Sequence, residues 1–376
     1  MKKLLFLVTL PPPMHGSNRV NQMMVENPLL NGQFDTRILA LNYVRSINEI
    51  GRFQLLKYGR LLKYLLQLLW LLISFRPASV YFVPCVTGGP FWRDCLFVMI
   101  LKLFRMPRVF HLHGKGVKVS AKGKLKLAVY RWFFADARIL LLSPSLYSDI
   151  EDVAAKSQVC YLANGTDIES DQLSKKPSDG AVRFIFLSNL VPTKGPETLL
   201  LACRILAEKG CQFSAVFVGN PSKELTEAGF NALIRKNGLV GRVSYLGPKY
   251  GEEKDAELTA ADVMVFPTYK DCFPLVLLEA MAFGLPIIST FEGAIPDIVD
   301  ERKTGFLVPD RNPEALAEKM ALFIDSPKLA QQLGQGGYQK YLKQYTHTAF
   351  NQRAAQLLGE LINGGAKSGG RCGELA

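Results

Sequence analysis

Twelve short runs rich in Val, Ile, Leu and Phe alternate along this chain with segments of helical length. The runs show little alternation of apolar and polar residues, which is typical of parallel strands buried on both faces. Strands that alternate with helices form doubly wound α/β domains. The predicted strands are residues 2–10, 36–41, 79–84, 108–113, 139–143, 159–163, 183–188, 215–219, 243–247, 262–267, 286–290 and 305–309. We therefore predict an α/β fold with two doubly wound, Rossmann-like domains.

A polar segment separates the two sets of predicted strands. Residues 171–180 have the sequence DQLSKKPSDG, with the Pro and Gly of a linker. This predicts a first domain over residues 1–170 and a second over residues 181–346. Open α/β sheets bind ligands at the carboxyl ends of their strands, so we expect a ligand cleft between the two domains. The Gly-rich residues 364–376 are predicted to be a disordered tail.

The net charge of +12 is concentrated in the first half of the chain. Residues 1–180 contain 24 Lys and Arg against 12 Asp and Glu, which accounts for the whole excess. Within residues 115–134, Lys and Arg are interleaved with Leu, Val, Trp and Phe, a pattern that suits an anionic membrane surface. The alternative is a solvated basic helix whose aromatic residues lie in the core. No nucleic-acid-binding motif accompanies the charge, so we expect no nucleic-acid partner.

The cysteines and histidines indicate which cellular compartment and which kinds of metal site fit this sequence. The seven cysteines include no Cys-x-x-Cys pair, which favours a reducing cytoplasm over a disulfide framework or a zinc site. The four histidines lack metal-ligand spacing. The N-terminus resembles a signal peptide, with two lysines followed by an apolar run. The prolines at 11–13 end that run too early for a signal peptide, so we predict a buried first strand. No apolar run reaches the ~20 residues of a membrane-spanning helix. We expect a cytoplasmic protein, peripheral at the inner face of the membrane.

Residues 266–290, FPTYKDCFPLVLLEAMAFGLPIIST, contain the most informative pattern in the chain. They predict a strand, a polar turn with Asp271, a helix that opens at Pro274, and a further strand. Asp271 and Glu279 are eight positions apart, so a loop carboxylate and a helix carboxylate can reach the same cleft. Such acceptors beside a helix N-terminus suit sugar hydroxyls and a phosphate. The same spacing also fits an ordinary unit with a solvated Asp271 and a surface Glu279.

A second strand-to-helix junction opens the second domain. After the strand at 183–188, a loop carries Asn189 and Lys194, and Gly195 precedes a proline at the first helical position. A free helix N-terminus with a neighbouring lysine suits a diphosphate. An ordinary junction with a solvated lysine fits the pattern somewhat better, because neither common phosphate-loop spacing is present.

Two positions in the first domain are further candidates. His111 and His113 share one face of a predicted strand, and His113 lies at its carboxyl end, where cleft residues occur. We predict His113 to be an active-site hydrogen-bond donor and His111 to be a core residue. Gly16 follows the first strand and permits a close backbone approach to a ligand, although a rigid surface turn explains that loop as well. The lack of a Gly-x-Gly-x-x-Gly motif there counts against a dehydrogenase.

Taken together, these residues resemble the retaining glycosyltransferases of the GT-B fold, group 1 (family 4). That family's Glu-x7-Glu motif and its helix Glu-Ala-Met-Ala-x-Gly-x-Pro stand here as Asp271-x7-Glu279 and the sequence from Glu279 to Pro286. The resemblance covers nearly the whole chain and is strongest over residues 184–309. It implies two Rossmann-like domains that face a central cleft, and a helix at 347–363 that crosses back to the first domain.

The resemblance also implies roles for the site residues. Lys194 matches the lysine that binds the diphosphate, Asn189 stands where the family has an arginine, and Gly195 follows in the same loop. Glu279 would hold the ribose hydroxyls and Asp271 would face the donor sugar, helped by backbone amides near Pro274, Leu275 and Val276. Gly16 matches the first-domain loop that approaches the phosphates, and His113 matches the active-site histidine. Because Asp271 is one methylene shorter than the usual glutamate, we expect a changed donor preference.

The function expected from this resemblance is the retaining transfer of a hexose-type sugar. The donor would be a nucleotide diphosphate sugar and the acceptor a glycan, lipid-linked, in cell-surface polysaccharide synthesis. No cofactor or metal is expected, since no Asp-x-Asp pair is present to hold a metal beside the phosphates. Two alternatives stay open: a sugar-nucleotide epimerase of the same fold, and a non-catalytic peripheral membrane protein that has retained the fold.

Overall fold

The computed structural model describes residues 1–12, 16–43, 55–168 and 181–364, with the side chains of residues 55–57 left out. Two compact units are present. The first comprises Met1–Asn164 and the chain from His347 onward, and the second comprises Gly165–Thr346. The predicted linker and the predicted tail beyond Gly364 lie outside the described residues.

Six parallel strands form the sheet of the first unit. They are β1 (Lys2–Val8), β2 (Phe34–Ala40), β3 (Ser79–Phe82), β4 (Arg108–Leu112), β5 (Ala137–Leu141) and β6 (Val159–Tyr161). Their order across the sheet is β2-β1-β3-β4-β5-β6, with Leu4 of β1 in register with Thr36 and Ser79 on either side. The side chains from Leu4 to Val8 are buried, as expected of an inner strand covered on both faces. The predicted buried first strand is therefore confirmed.

Helices cover both faces of this sheet. They are α1 (Gly16–Glu26), α2 (Pro28–Gln33), α3 (Leu55–Ser74), α4 (Gly88–Leu103), α5 (Val117–Ser120), α6 (Lys124–Phe134) and α14 (His347–Asn363). The last helix packs on α2 and α1, and the buried amide of Asn27 donates a hydrogen bond of 3.0 Å to the carbonyl of Asn351. The C-terminal helix thus belongs to the first unit.

The second unit repeats this architecture with six parallel strands. They are β7 (Val182–Leu187), β8 (Phe213–Val218), β9 (Val243–Tyr245), β10 (Val263–Phe266), β11 (Ile287–Thr290) and β12 (Gly305–Val308). Their order is β12-β11-β10-β7-β8-β9. The accompanying helices are α7 (Pro196–Glu208), α8 (Glu227–Lys236), α9 (Gly251–Ala260), α10 (Leu275–Ala282), α11 (Ile295–Ile298), α12 (Pro313–Asp325) and α13 (Pro327–Gln344).

This strand order creates a topological switch point. The chain moves from β7 outward to β8 and β9, then returns to place β10 on the other side of β7. Loops that leave the carboxyl ends of two such neighbouring strands diverge to opposite sides of the sheet and leave a crevice. The loops after β7 and β10 therefore flank the natural ligand position of this unit.

The predicted α/β fold class is confirmed, and all twelve predicted strands are present. The structure corrects several strand ends: Pro84, Pro267 and Pro309 were included in predicted strands but lie beyond β3, β10 and β12. Proline has no N–H group for the hydrogen-bonding ladder, which explains these shorter strands. Within the described residues, no helix has the length and apolar character needed to cross a bilayer.

The side chains of α6 and the state of Cys160 differ from what the sequence led us to expect. Phe133 and Phe134 of α6 are buried, so these aromatic residues of the predicted membrane segment belong to the core, whereas Leu125 and Trp132 are exposed. Cys160 is disulfide-bonded, a feature that the sequence did not predict. Among the described residues, the free thiols are those of residues 85, 95, 203, 211 and 272.

Candidate active site

Lys194 and Asp271 meet at the switch point of the second sheet. Lys194 ends a short helical turn, Pro192–Lys194, that follows β7, and Asp271 lies in the loop after β10. The Nζ atom of Lys194 is 2.5 Å from Oδ2 of Asp271, and both side chains are partly exposed. A charge-assisted contact of this length fixes the two side chains relative to each other while leaving them accessible. The structure thus brings together two residues that are 77 positions apart.

The backbone holds the two loops in contact. The carbonyl of Thr193 accepts hydrogen bonds of 3.0 Å from the amide of Tyr269 and from the hydroxyl of Thr268. Gly195 adopts φ +80°, and a Cβ atom there would lie 2.1 Å from the carbonyl oxygen of Pro267. No other residue type satisfies both conditions, because side chains disfavour this conformation and the space is absent. Glycine at 195 is therefore required for the loop to approach β10.

A third loop braces Asp271 from the side of β11. The backbone amide of Asp271 donates a hydrogen bond of 3.0 Å to Oε1 of Glu292. Gly293 has φ +57°, and a Cβ atom there would lie 2.5 Å from the carbonyl oxygen of Asp271. The amide of Cys272 donates to Oδ1 of Asp271 at 2.8 Å, so one carboxylate oxygen serves the backbone and the other serves Lys194.

Glu279 is buried on α10 and is paired with a lysine that the sequence analysis missed. Its side chain is 9% exposed, and its Oε2 atom lies 2.9 Å from Nζ of Lys254 on α9. The interpretation of Glu279 as a surface residue is therefore wrong. Nothing in the sequence marked Lys254, since it lies 25 positions upstream on a helix with four acidic residues. Only the folded structure, which brings Lys254 of α9 within 2.9 Å of Glu279 on α10, shows this partner.

The helix N-termini at this edge match the sequence prediction. Gly195 precedes α7, which begins at Pro196, and Pro274 precedes α10, which begins at Leu275. Among the described residues, no side chain caps either helix. Leu275 and Val276 are half-buried in the first turn of α10. Uncapped amides at a helix N-terminus favour an anion.

Asn189 is uncharged, and its side chain forms hydrogen bonds with a neighbouring loop. Its Oδ1 atom accepts hydrogen bonds from the backbone amide of Asn220 at 3.1 Å and from the side-chain amide of Asn220 at 3.2 Å. That side-chain amide also donates to the hydroxyl of Tyr250 at 2.9 Å. Asn189 therefore ties the loop after β7 to the loop after β8. Asn220 and Tyr250 were not predicted, because neither has a recognisable spacing to Asn189.

The first unit contains the remaining candidates. His111 is buried, and the Tyr81 hydroxyl lies 2.5 Å from its Nδ1 atom, while Nε2 of His113 lies 3.3 Å from the same nitrogen. Burial lowers the pKa of His113 to about 4. Burial, assisted by His113, lowers the pKa of His111 well below its ordinary value. Both rings are therefore neutral at pH 7, and His113 can donate one ring N–H. The prediction that His111 is a core residue is confirmed.

Gly16 is the first residue of α1 rather than a residue within a loop. It follows residues 13–15, which lie outside the described part of the chain. His113 and Gly16 belong to the first unit and the other candidates to the second, so a site shared by both stays a prediction. Within the described residues, no cluster of three His, Cys, Asp or Glu side chains has the arrangement of a metal site.

Comparison with solved structures identifies the fold. Sucrose-phosphate synthase from Thermosynechococcus elongatus has a TM-score of 0.75 at 19% identity, covering 96% of this chain and 100% of that one. WaaG, a glycosyltransferase involved in lipopolysaccharide biosynthesis, has a TM-score of 0.64 at 14% identity, covering 96% and 100%. HepE from Anabaena, solved with UDP-glucose, has a TM-score of 0.70 at 16% identity, covering 95% and 99%. The chain is thus an α/β protein of the GT-B fold.

Sequence comparison finds similarity to a family over the second unit. Residues 167–340 match the family described as glycosyl transferases group 1. D-inositol 3-phosphate glycosyltransferase from Corynebacterium efficiens is 33% identical over 153 residues, or 40% of this chain and 36% of that protein. The colanic acid biosynthesis glycosyltransferase WcaL of Escherichia coli K12 is 33% identical over 157 residues, 40% and 38% respectively. The matches span little more than a third of each relative. Residues 167–340, a little under half of this chain, are thus similar to the group 1 glycosyl transferases.

Proposed function

We propose that this protein is a retaining glycosyltransferase that moves a hexose-type sugar from a nucleotide diphosphate donor to a glycan acceptor. The acceptor is lipid-linked, and the product enters cell-surface polysaccharide. The protein acts at the cytoplasmic face of the membrane, to which the basic first half of the chain attaches it. Two relatives support the donor and pathway: HepE was solved with UDP-glucose, and WcaL is named for colanic acid biosynthesis.

The observation that carries this proposal is the contact between Lys194 and Asp271 at the switch point. An ammonium group, an uncapped helix N-terminus and two carboxylates lie on the loops and helices at one edge of the sheet. The first two groups suit a diphosphate and the last two suit sugar and ribose hydroxyls. Few ligands other than a nucleotide diphosphate sugar present both kinds of group.

Each residue has a role in the proposed reaction. Glu279 accepts hydrogen bonds from the ribose hydroxyls, while Lys254 neutralises its buried charge. Lys194 and the N-terminus of α10 stabilise the negative charge that grows on the diphosphate as its bond to the anomeric carbon breaks. Asp271 orients the sugar and keeps Lys194 in position. His113, neutral at pH 7, donates a hydrogen bond to the sugar.

The acceptor hydroxyl attacks the anomeric carbon from the side that the diphosphate leaves, and its proton passes to the departing diphosphate oxygen, so the anomeric configuration is retained. We infer from the resemblance to the family that the first unit binds the acceptor. The donor sugar is a substrate, and the proposed transfer uses no cofactor or metal. Activity in the presence of a chelator tests this last point directly.

Titration calorimetry with UDP and GDP, followed by a donor screen with sugar transfer as the readout, tests the proposal. Lys194→Ala should abolish transfer and leave the unfolding temperature nearly unchanged. Glu279→Ala should also abolish transfer, but it should lower the unfolding temperature, because Lys254 loses its buried partner. Lys209→Ala and Glu208→Ala are the matched controls, since both residues are exposed at the end of α7. Wild-type turnover in both site variants would overturn the site assignment. Binding of neither nucleotide would favour a non-catalytic protein, and an epimerised nucleotide sugar formed without acceptor would identify an epimerase.

A further inference from the structure

All three tryptophans of the chain are exposed, and all three lie on helices of the first unit. Trp70 on α3 is 60% exposed, Trp92 on α4 is 50% exposed and Trp132 on α6 is 39% exposed. Tryptophan is highly buried on average, and clustered exposed aromatic residues mark interaction surfaces. The three exposed tryptophans therefore indicate that these helices contact another molecule or a membrane.

The three helices lie side by side on one face of the sheet. The crossovers from β2 to β3, from β3 to β4 and from β4 to β5 all run in the same direction across the strand order. Because such crossovers are right-handed, α3, α4 and α6 share a face, and α1 and α2 lie on the other. Side chains join the helices: the rings of Phe91 and Tyr130 stack at 4.0 Å, and Nζ of Lys102 lies 5.2 Å from the ring of Trp132.

The two longest of these helices are apolar on both sides. Leu68, Leu71 and Leu72 of α3 are buried against the unit, as are Phe97 and Leu101 of α4. The side that faces away from the sheet is also apolar, and we call it the outer face. It consists of Leu62, Leu66 and Trp70 on α3, and of Trp92, Met99 and Leu103 on α4. Each of these residues is at least half exposed, at helical spacings that keep them in one stripe per helix.

The charge around the outer face is almost entirely positive. Residues 55–134 contain 14 Lys and Arg and one carboxylate, Asp94. Asp94 is buried, and its Oδ1 atom lies 2.7 Å from Nε of Arg93, so it offers nothing to solvent. Exposed cations such as Lys63, Arg105 and Lys126 have no acidic neighbours within this part of the sequence. Of these cations, Lys118 is paired with Glu151 at 2.8 Å. An apolar stripe flanked mainly by cations fits a bilayer with anionic headgroups.

We propose that the outer face of α3 and α4 inserts into one leaflet of an anionic bilayer, with α6 supplying cations and Trp132 at the headgroup level. This inference rests on the proposed function, because it locates the membrane contact of that enzyme. It places the contact mainly on the two apolar helices that precede the basic segment. The helices lie in the plane of the interface. A second copy of the chain is a poorer occupant, since two such faces would bring like charges together.

The three tryptophans provide a built-in probe for this contact. The full-length protein is mixed with vesicles of phosphatidylcholine, with or without about 30 mol% phosphatidylglycerol, at about 0.1 M and about 0.5 M salt. We expect co-flotation and a blue shift of tryptophan emission with the anionic vesicles at low salt. Brominated lipids should quench the emission, because the indole rings of Trp70 and Trp92 enter the acyl region. Co-flotation without a shift or quenching would contradict insertion of this face.

Substitutions on the outer face test the location. Leu66→Ser with Leu103→Ser should weaken vesicle binding at least about tenfold, because burial of one leucine changes a partition constant by about that factor. Both residues are exposed, so folding should be unaffected. Leu322→Ser with Leu342→Ser, at exposed positions in the second unit, is the matched control and should bind as the wild type does.

The outcomes separate this inference from the proposed function. Nucleotide affinity of the Leu66 and Leu103 variant should equal that of the wild type. Normal nucleotide binding without vesicle binding would overturn the membrane face and leave the donor site standing. Dimers that dissociate in the Leu66 and Leu103 variant, without any vesicle binding, would show that a second copy covers the face. Vesicle binding without nucleotide binding would uphold the face and refute the enzyme.

Discussion

Gly195 offers the sharpest test of how the candidate site is built. It precedes α7 and adopts φ +80°, and Gly210 follows the same helix with φ +77°. An alanine at either position carries the same backbone penalty, about 1–2 kcal/mol, partly offset by a less flexible unfolded chain. The two glycines differ in their surroundings. A Cβ atom at Gly210 would meet nothing within 4 Å, whereas at Gly195 it would lie 2.1 Å from the Pro267 oxygen.

The expected magnitude follows from that distance. Real Cβ contacts shorter than 3.0 Å are essentially absent, so the loop after β7 or the end of β10 must shift by about 1 Å. Overpacking of this kind costs about 1–3 kcal/mol. We therefore expect Gly195→Ala to lower the stability of the second unit by about 2–4 kcal/mol and Gly210→Ala by about 1 kcal/mol. At about 2–4 °C per kcal/mol, calorimetry resolves the difference.

The same shift should disturb the site, because Lys194 directly precedes Gly195. A displacement of about 1 Å at a catalytic group costs about 100-fold in rate, and we expect UDP affinity to fall at least about tenfold. Titration calorimetry below the unfolding temperature measures this, with Gly210→Ala as the control for backbone strain. Equal melting temperatures and equal UDP affinities for the two variants would refute the close-approach argument.

Two further predictions concern buried charge. Lys254→Met should destabilise the second unit by about 3 kcal/mol in urea denaturation, because the Glu279 carboxylate stays buried without its cation. Adding Glu279→Gln should restore most of the lost stability. No recovery in the double variant would contradict this prediction. The His113 pKa is about 4 in the folded state against 6.5 in the unfolded chain, so the unfolded chain binds more protons between these values. The free energy of unfolding contributed by neutral His113 is therefore fully present above pH 6.5 and is lower by about 3 kcal/mol at pH 4. His113→Gln should remove this pH dependence, which urea unfolding at a series of pH values measures.

The fold was largely predictable because its signals are local. Buried parallel strands need continuous apolar runs, and glycine and proline mark where such runs end. Residues 183–188 and 286–290 could therefore be predicted as strands from their sequence. Errors occurred at the strand ends, where Pro267 continues the apolar pattern but cannot join the ladder. The junctions at Gly195 and Pro274 were also predictable, since helix starts depend on a few adjacent residues.

The candidate site was predictable only in part. Lys194, Asp271 and Glu279 follow strands or open helices in recognisable motifs, so their membership could be inferred from spacing and resemblance. Their partners could not. Lys254 reaches Glu279 from a neighbouring helix, and Asn220 reaches Asn189 from the next loop. Such pairings depend on the order of strands in the sheet, which a single sequence does not encode locally.

By itself, the amino-acid sequence determined the twelve strands, the doubled α/β architecture and the chemical groups that follow the strands. Tertiary structure alone decided which of those groups meet. Placing β10 beside β7 brings Lys194 within 2.5 Å of Asp271, and packing α3, α4 and α6 on one face gathers Trp70, Trp92 and Trp132. The physical reason is range: backbone propensity and burial patterns act over a few residues, whereas ion pairs and exposed surfaces arise from contacts between distant segments.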